Sequence, residues 1–437
     1  MSSRPAFGAG AFDLLNLHRM KTLELNGVSY RWPQQPVVVV CIDGGDPAYI
    51  EQGLKDGIIP NIARFMREGF AGIADGTVPS FTCPNNMSLI TGAPPAVHGI
   101  SGNYYLNEHG DAVVMTGPEL LRSRTILATF ADAGAHVVSI TAKDKLRKQL
   151  GKDLDLTRGN ISFSSEYASQ CTLAENGIEN VLQLVGMPQP DMYSMDLSLL
   201  VLEAGIKLLE RDKPDLLFLS LTDYIQHKHA PGDAVANTFY ERLDDAFGRL
   251  AALGATVALT ADHGMNDKSN ADGTPKVIYL QDVLDQAFGA GTTKVICPIT
   301  DAFVRHHGAL GGFVRVWIRD PQVSADAIIA TVRDIPGVAL ALNQDDVCRQ
   351  FDLPADREGD VAVIADAGTV IGASESEHDL SNLADARLRS HGAVSEARVP
   401  FILSRPLNVD YAQRAASTTL KSHQIFDYAI NGAEVTA

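Results

Sequence analysis

The feature that most constrains this chain is a set of short runs of β-branched and aliphatic residues, each ending in polar or charged ones. They are PVVVVCID (36–43), HVVSITAK (136–143), PDLLFLSLTD (214–223), ATVALTADH (255–263) and VPFILS (399–404). A strand that is apolar at nearly every position is buried on both faces, as in a parallel sheet covered by helices. Helical patterns fall between the runs, as in IPNIARFMREG (59–69) and NTFYERLDDAFGRLAALG (237–254). The alternation predicts an α/β fold: a doubly wound, mostly parallel sheet flanked by helices.

Residues 293–359 depart from this pattern. GGFVRVWIRD reads as a strand, SADAIIATVRDI as a helix and GVALALN as another strand. The pattern predicts a small inserted α/β cap domain at 293–359, with the core resuming at DVAVIAD (360–366). The organisation expected is an N-terminal extension at 1–35, a catalytic core at 36–292 and 360–437, and the cap between. The stretch 150–195, with GNISFSSEYASQ, is weakly patterned and reads as a second insertion or an excursion over the site. The tail from Asn408 reads as a closing helix.

The formal net charge is −17. Such a surface repels nucleic acid and anionic membranes, so the expected partner is a small molecule; an anionic one needs local positive charge to be captured. A homodimer is the assembly the reading allows. The five cysteines, Cys41, Cys83, Cys171, Cys297 and Cys348, are widely spaced with no CxxC pair, which suits reduced thiols in the cytoplasm. The start MSSRPAFGAGAFDLLNLHRM has no long apolar core behind a basic head, and no apolar stretch approaches ~18 residues, so neither a signal peptide nor a membrane span is expected.

In open α/β sheets ligands bind beyond the carboxyl ends of the strands. Asp43, Asp223 and Asp262 each stand where an apolar run ends. His263 adjoins Asp262, and His227 follows Asp223 by four residues, so one turn of chain brings both onto one ion. His391 precedes the last run. A single Asp or His in such a place is ordinary turn chemistry. Together these residues suit zinc, which takes carboxylate oxygen and imidazole nitrogen in one shell, and six donors suffice for two ions with positions left open. Thr82, in SFTCPNNMSLITG (80–92), precedes Pro84 and a helical pattern. It reads either as a helix cap or as a nucleophile.

The segments CIDGGD, PSFTCPNNMSLITGAPPAVHGISGN, TDYIQHKHAPG, TADHGM and SHG occur in this order. They resemble the metal-site segments of the alkaline phosphatase superfamily, in its nucleotide pyrophosphatase/phosphodiesterase-like branch. Within that branch the chain is most similar to the phosphonoacetate hydrolases. The resemblance covers about 36–292 and 360–410. It implies an alkaline phosphatase-like core and two zinc ions per subunit. Asp43, Asp262 and His263 would hold one ion, which Thr82 also binds; Asp223, His227 and His391 would hold the other. It further implies that Asn103 donates an amide hydrogen to a phosphoryl oxygen. Many relatives carry Gly before the second histidine segment's His, where this chain has Gln226, but the Asp-to-His spacing is kept.

Two divalent ions about 3.5–4 Å apart clamp an in-line displacement at phosphorus, and one of them activates the threonine hydroxyl. Their charge exceeds that of three carboxylates, so the site is positive inside an acidic protein. A helix beginning at Thr82 would also aim backbone N–H groups at phosphoryl oxygens, so capping and attack are compatible roles. The expected reaction is hydrolysis of the carbon–phosphorus bond of phosphonoacetate to acetate and phosphate through a phosphothreonine. That bond yields only if cations stabilise the carboxylate of the departing carbanion. Lys143 and Lys145, in HVVSITAKDKLRKQL, are the cations expected to bind it; two apart in extended chain, they would point the same way. With Arg147, Lys148 and Lys152 nearby, a solvated charge run is the plainer alternative. His227 and His391 are also expected to touch substrate. His229 is read as structural, and His378 as a loop residue near the site.

Three other readings are weighed. A phosphodiesterase or nucleotide pyrophosphatase needs an aromatic nucleoside pocket, for which Tyr104 and Tyr105 are candidates. A phosphomutase would need a larger insertion and manganese. A non-catalytic metal protein would have no use for Thr82.

Overall fold

The computed structural model describes residues 22–300, 308–383 and 387–435. Most of the N-terminal extension, 1–21, and part of the insertion, 301–307, lie outside them.

The main sheet has seven strands. In spatial order they are Phe70–Asp75, Arg398–Leu403, Thr256–Thr260, Val37–Cys41, Leu216–Ser220, Val137–Thr141 and Ile161–Ser164. Arg398–Leu403 is antiparallel to both neighbours, and the five strands beyond it are mutually parallel. Every residue of Val37–Cys41, Val137–Thr141, Leu216–Ser220 and Thr256–Thr260 is buried. The reason is the strand's period of two: Val38 and Val40 enter one apolar core, while Val37, Val39 and Cys41 enter the other.

Helices cover both faces. Ala236, Phe239, Tyr240, Leu243, Phe247 and Leu250 recur at three- and four-residue spacing in helix Ala234–Ala252 and pack with Asp196–Asp212 on the first core. Helices Thr82–Thr91 and Ile126–Asp132 build the second. Each buried Val or Leu contributes ~1.5–3 kcal/mol, so these two cores fix the strands as a rigid frame.

The register sets the site. Cys41 pairs with Thr260 on one side and with Ser220 on the other, Thr141 pairs with Ser220, and Ser164 pairs with Thr141. Five strands therefore end level, about 4.8 Å apart. The residues two or three positions on form a row: Asp262, Asp43, Asp223, Lys143 and Glu166.

A second, four-stranded antiparallel sheet has the order Thr293–Ile296, Phe313–Ile318, Val361–Ala365, Val338–Asn343. Helix Ala325–Val332 packs on it. The sequence pattern lets the core resume at 360, yet Val361–Ala365 lies inside this second sheet. A fully apolar strand looks the same in either sheet, so pattern alone does not assign it. Ile161–Ser164, within the weakly patterned stretch, is an edge strand of the main sheet. The tail is a helix, Val409–Ser417, followed by short turns of helix that bury Ile425, Phe426 and Tyr428.

None of the five cysteines, all among the described residues, forms a disulfide. Among the described residues no helix is long and apolar enough to cross a membrane.

Candidate active site

The loops beyond the level strand ends bring six predicted residues into two groups, Asp43–Asp262–His263 and Asp223–His227–His391. In each, one donor atom per residue lies within 4.8 Å of the others, and all six residues are buried. Asp223 precedes the short helix Tyr224–Lys228, so His227 comes round one turn later and sets Nε2 2.8 Å from Asp223 Oδ2. His391 follows the two-residue strand Arg389–Ser390, which pairs with Asn266–Asp267 just beyond His263.

Glycine is required beside both groups. Gly44, at φ +67°, turns the chain after Asp43, and a Cβ there would lie 3.1–3.2 Å from the Cβ atoms of Gln226 and Asp223. Gly392, at φ +121°, follows His391, and a Cβ there would lie 2.5 Å from the Phe81 ring.

The three histidines share one device. Nδ1 donates to a backbone carbonyl in each: His227 to Arg389 at 2.8 Å, His263 to Gly264 at 2.9 Å, and His391 to Ser80 at 2.7 Å. The ring proton is thus held at Nδ1, and Nε2 keeps its lone pair. That lone pair faces carboxylate oxygen: His263 Nε2 stands 3.3 Å from Asp43 Oδ1, an oxygen that accepts no hydrogen bond from the described residues. Two electron-rich atoms facing each other in a buried place are satisfied by a cation, and the oxygen and nitrogen donors fit zinc. The carboxyls show the same need. Burial and the Asp223 and Asp262 charges push Asp43 well above the usual range, and burial raises Asp262. Burial, with His263 and His227 beside it, drives His391 well down.

Thr82 is not a cap. Phe81 is the cap residue of helix Thr82–Thr91 and Thr82 is its first residue, so the hydroxyl makes no capping bond. Instead it lies 3.2 Å from His263 Nε2, to which it donates. The helix start turns its first amides toward the same space.

A cavity of about 420 Å³ opens over these residues, lined by Asp43, Thr82, Asn103, Lys143, Lys145 and His391 among others. Lys143 Nζ is 3.9 Å from Asp223 Oδ1. The two lysines are not in extended chain: Lys143 precedes helix Asp144–Leu150 and Lys145 lies within it, and both still line the cavity. Asn103 donates through Nδ2 to Ile299 O at 2.8 Å, which fixes the plane of its amide.

Of the remaining histidines, His229 lies 3.9 Å from Asp233, and its carbonyl accepts from the Tyr49 hydroxyl at 2.6 Å. His378 binds Ala373 N and Gly308 O and lines no part of the cavity. Tyr104 and Tyr105 are also absent from the lining, where Tyr167 and Tyr193 stand instead.

Sequence reasoning missed several residues. Asn86, one turn after Thr82, donates to Asp262 Oδ2 at 3.3 Å and accepts from Ser220 at 3.1 Å. The guanidinium of Arg389 donates to Gln226 O at 2.8 Å while its carbonyl holds His227. Glu166 accepts from Asp144 N at 2.8 Å, at the start of the lysine-bearing helix. Two successive asparagines in an apolar helical run were the available signal for Asn86.

An α/β sheet with two buried Asp/His groups and a hydroxyl at its strand ends is that of a metal-dependent hydrolase. The chain belongs to the type I phosphodiesterase / nucleotide pyrophosphatase family, whose model matches residues 37–393. It is similar to the crystal structure of phosphonoacetate hydrolase from Sinorhizobium meliloti 1021, solved with phosphonoacetate and with phosphonoformate. The TM-score is 0.89 at 43% identity, over 95% of this chain and 100% of that one. Murine ectonucleotide pyrophosphatase / phosphodiesterase 5 shares the fold, with a TM-score of 0.59 at 16% identity over 92% and 96% of the two chains. An uncharacterised pyrophosphatase/phosphodiesterase of Schizosaccharomyces pombe is 21% identical over 252 residues, 54% of this chain and 46% of that protein. The chain thus spans about half the length of that curated relative.

Proposed function

We propose that the chain is a zinc-dependent hydrolase that converts phosphonoacetate to acetate and phosphate through Thr82. The observation that carries this reading is one cavity holding Thr82 beside one Asp/His group and Lys143 beside the other. The similarity to phosphonoacetate hydrolase supports the substrate.

Asp43, Asp262 and His263, with Thr82 Oγ, would hold one zinc, and Asp223, His227 and His391 the second. When bound, the pair supplies positive charge at the phosphoryl oxygens and lowers the pKa of hydroxyl and water. The rest is work for the chain. Thr82 Oγ, at the start of its helix, gives up its proton to water, attacks phosphorus and forms a P–O bond as the P–C bond breaks. The electron pair passes to the methylene carbon and spreads into the carboxylate, which Lys143 and Lys145 hold. A proton from water completes acetate. Asn103 presents its amide to a phosphoryl oxygen, and His227 and His391 wall the phosphoryl side. Water then cleaves the Thr82–phosphate bond, restoring the hydroxyl and releasing phosphate.

The test is phosphate release from phosphonoacetate and from a nitrophenyl phosphate ester, with metal content measured on the same sample. Release from both, with two zinc per chain, is expected. Release from a nitrophenyl diester but none from phosphonoacetate would replace this reading with the phosphodiesterase one, for which Tyr167 and Tyr193 in the lining are the supporting observation. The same reading puts the enzyme in the cytoplasm, takes the second sheet as a cap and allows a homodimer; light scattering tests the assembly.

A further inference from the structure

We propose that Arg315, buried in the second sheet, is a positioning residue for the Asn103 amide; the inference rests on the role given to Asn103 above. Arg315 lies on strand Phe313–Ile318 and is 0% exposed. Its Nε donates to Glu358 Oε2 at 2.6 Å, and Nη2 also bonds Glu358 Oε1. The same Nη2 donates to the carbonyl and the hydroxyl of Ser101, at 2.8 and 3.0 Å.

Gly102 packs flush against this guanidinium: a Cβ there would lie 3.1 Å from Arg315 Nη1 and 2.9 Å from Pro298. Asn103 N donates to Pro298 O and Asn103 Nδ2 to Ile299 O, each at 2.8 Å. Three successive residues are therefore held by the second sheet and the segment that follows its first strand. The Asn103 amide bonds Ile299, so where the amide sits follows from where Ser101 and Gly102 sit. A shift of the turn by a fraction of an ångström moves that amide away from the phosphoryl oxygen. A buried ion pair is an expensive way to fill space, since apolar residues of similar volume serve stability as well or better. Here its geometry is used: the carboxylate of Glu358 fixes the guanidinium plane, and the plane fixes Ser101.

Removing Arg315 alone strands the Glu358 charge and invites unfolding. The informative variant is Arg315→Met combined with Glu358→Leu, which deletes both charges and the bonds to Ser101. It is compared with Asn103→Ala and with all three changes together, on zinc-loaded enzyme, with metal content and Tm as controls. Asn103→Ala is expected to lower kcat/KM about 10²-fold, as loss of one oxyanion donor does. The paired variant is expected to lower kcat about 10-fold with KM little changed, because the donor is misplaced rather than lost. Combined, the losses should not multiply: the total stays near 10²-fold, since a misplaced donor that is then deleted costs nothing more. A combined loss near 10³-fold would mean independent action and overturn the proposal. So would a paired variant at full rate, or a silent Asn103→Ala. Failure of the phosphonoacetate reading shows separately, in the unmodified enzyme, and the cycle is then read on the nitrophenyl ester.

Discussion

The imidazole rings of His263 and His391 lie stacked, with centroids 3.5 Å apart and planes 7° from parallel. One ring belongs to each Asp/His group, so the groups share a wall and neither can shift alone. His391→Ala is therefore expected to weaken metal binding at its own group and, by about 10-fold, at the Asp43 group. Titration against a competing chelator measures both. Unchanged affinity at the Asp43 group would show that the stacking carries no coupling.

Thr82 has no capping duty to lose, so Thr82→Ala should leave the helix intact, and Asp43, Asp262 and His263 remain to hold the metal at that group. Turnover should fall by ~10³-fold or more, as for other removed nucleophiles. Thr82→Ser should retain part of the rate. Near-normal phosphate release by the metal-loaded alanine variant would rule out a covalent path.

Lys143 closes on Asp223 at 3.9 Å and faces the cavity. Lys143→Ala should raise KM and lower kcat for phosphonoacetate, together about 10²-fold in kcat/KM. Activity on a nitrophenyl phosphate, which expels a stable phenolate, should survive. Equal loss on both substrates would make the lysine a structural partner of Asp223.

His98 supplies a pH prediction away from the metal groups. It is buried, its Nδ1 accepts from Ile100 N at 3.1 Å, its Nε2 bonds Ser88 Oγ at 2.9 Å, and desolvation lowers its pKa to about 3. The folded ring is neutral, and unfolding lets it take up a proton below its ordinary value. Its contribution is thus whole above pH ~6.5 and declines as pH falls toward 3, by ~1.4 kcal/mol per pH unit. Denaturant melts between pH ~5.5 and pH ~4 on the native chain and on His98→Gln should differ in slope by close to that amount; matching slopes would show that the ring is protonated when folded.

The sheet and the two Asp/His groups could be read from the chain because both are written in local pattern. An apolar run marks a doubly covered strand, and the Asp after it marks the strand's end. What pattern does not carry is partnership. Val361–Ala365 has the composition of a core strand, but its neighbours are Phe313–Ile318 and Val338–Asn343. Ile161–Ser164 alternates serine with apolar residues and is only four long, so nothing marks it as part of the sheet. Extended chain is the expectation for Lys143 and Lys145, yet a helix begins between them, and Glu166, two residues beyond the neighbouring strand, accepts from Asp144 N at its start. Asn86 and Arg389 act on ligands held by other segments, a relation that spacing along the chain does not express.

The level strand ends have a consequence for how such enzymes diverge. Backbone pairing spaces the row Asp262, Asp43, Asp223, Lys143, Glu166 like marks on a ruler, with the aspartate end and the lysine end on separate strands. A lineage can therefore rewrite the outer marks, trading one leaving group for another, while the inner three keep their interval.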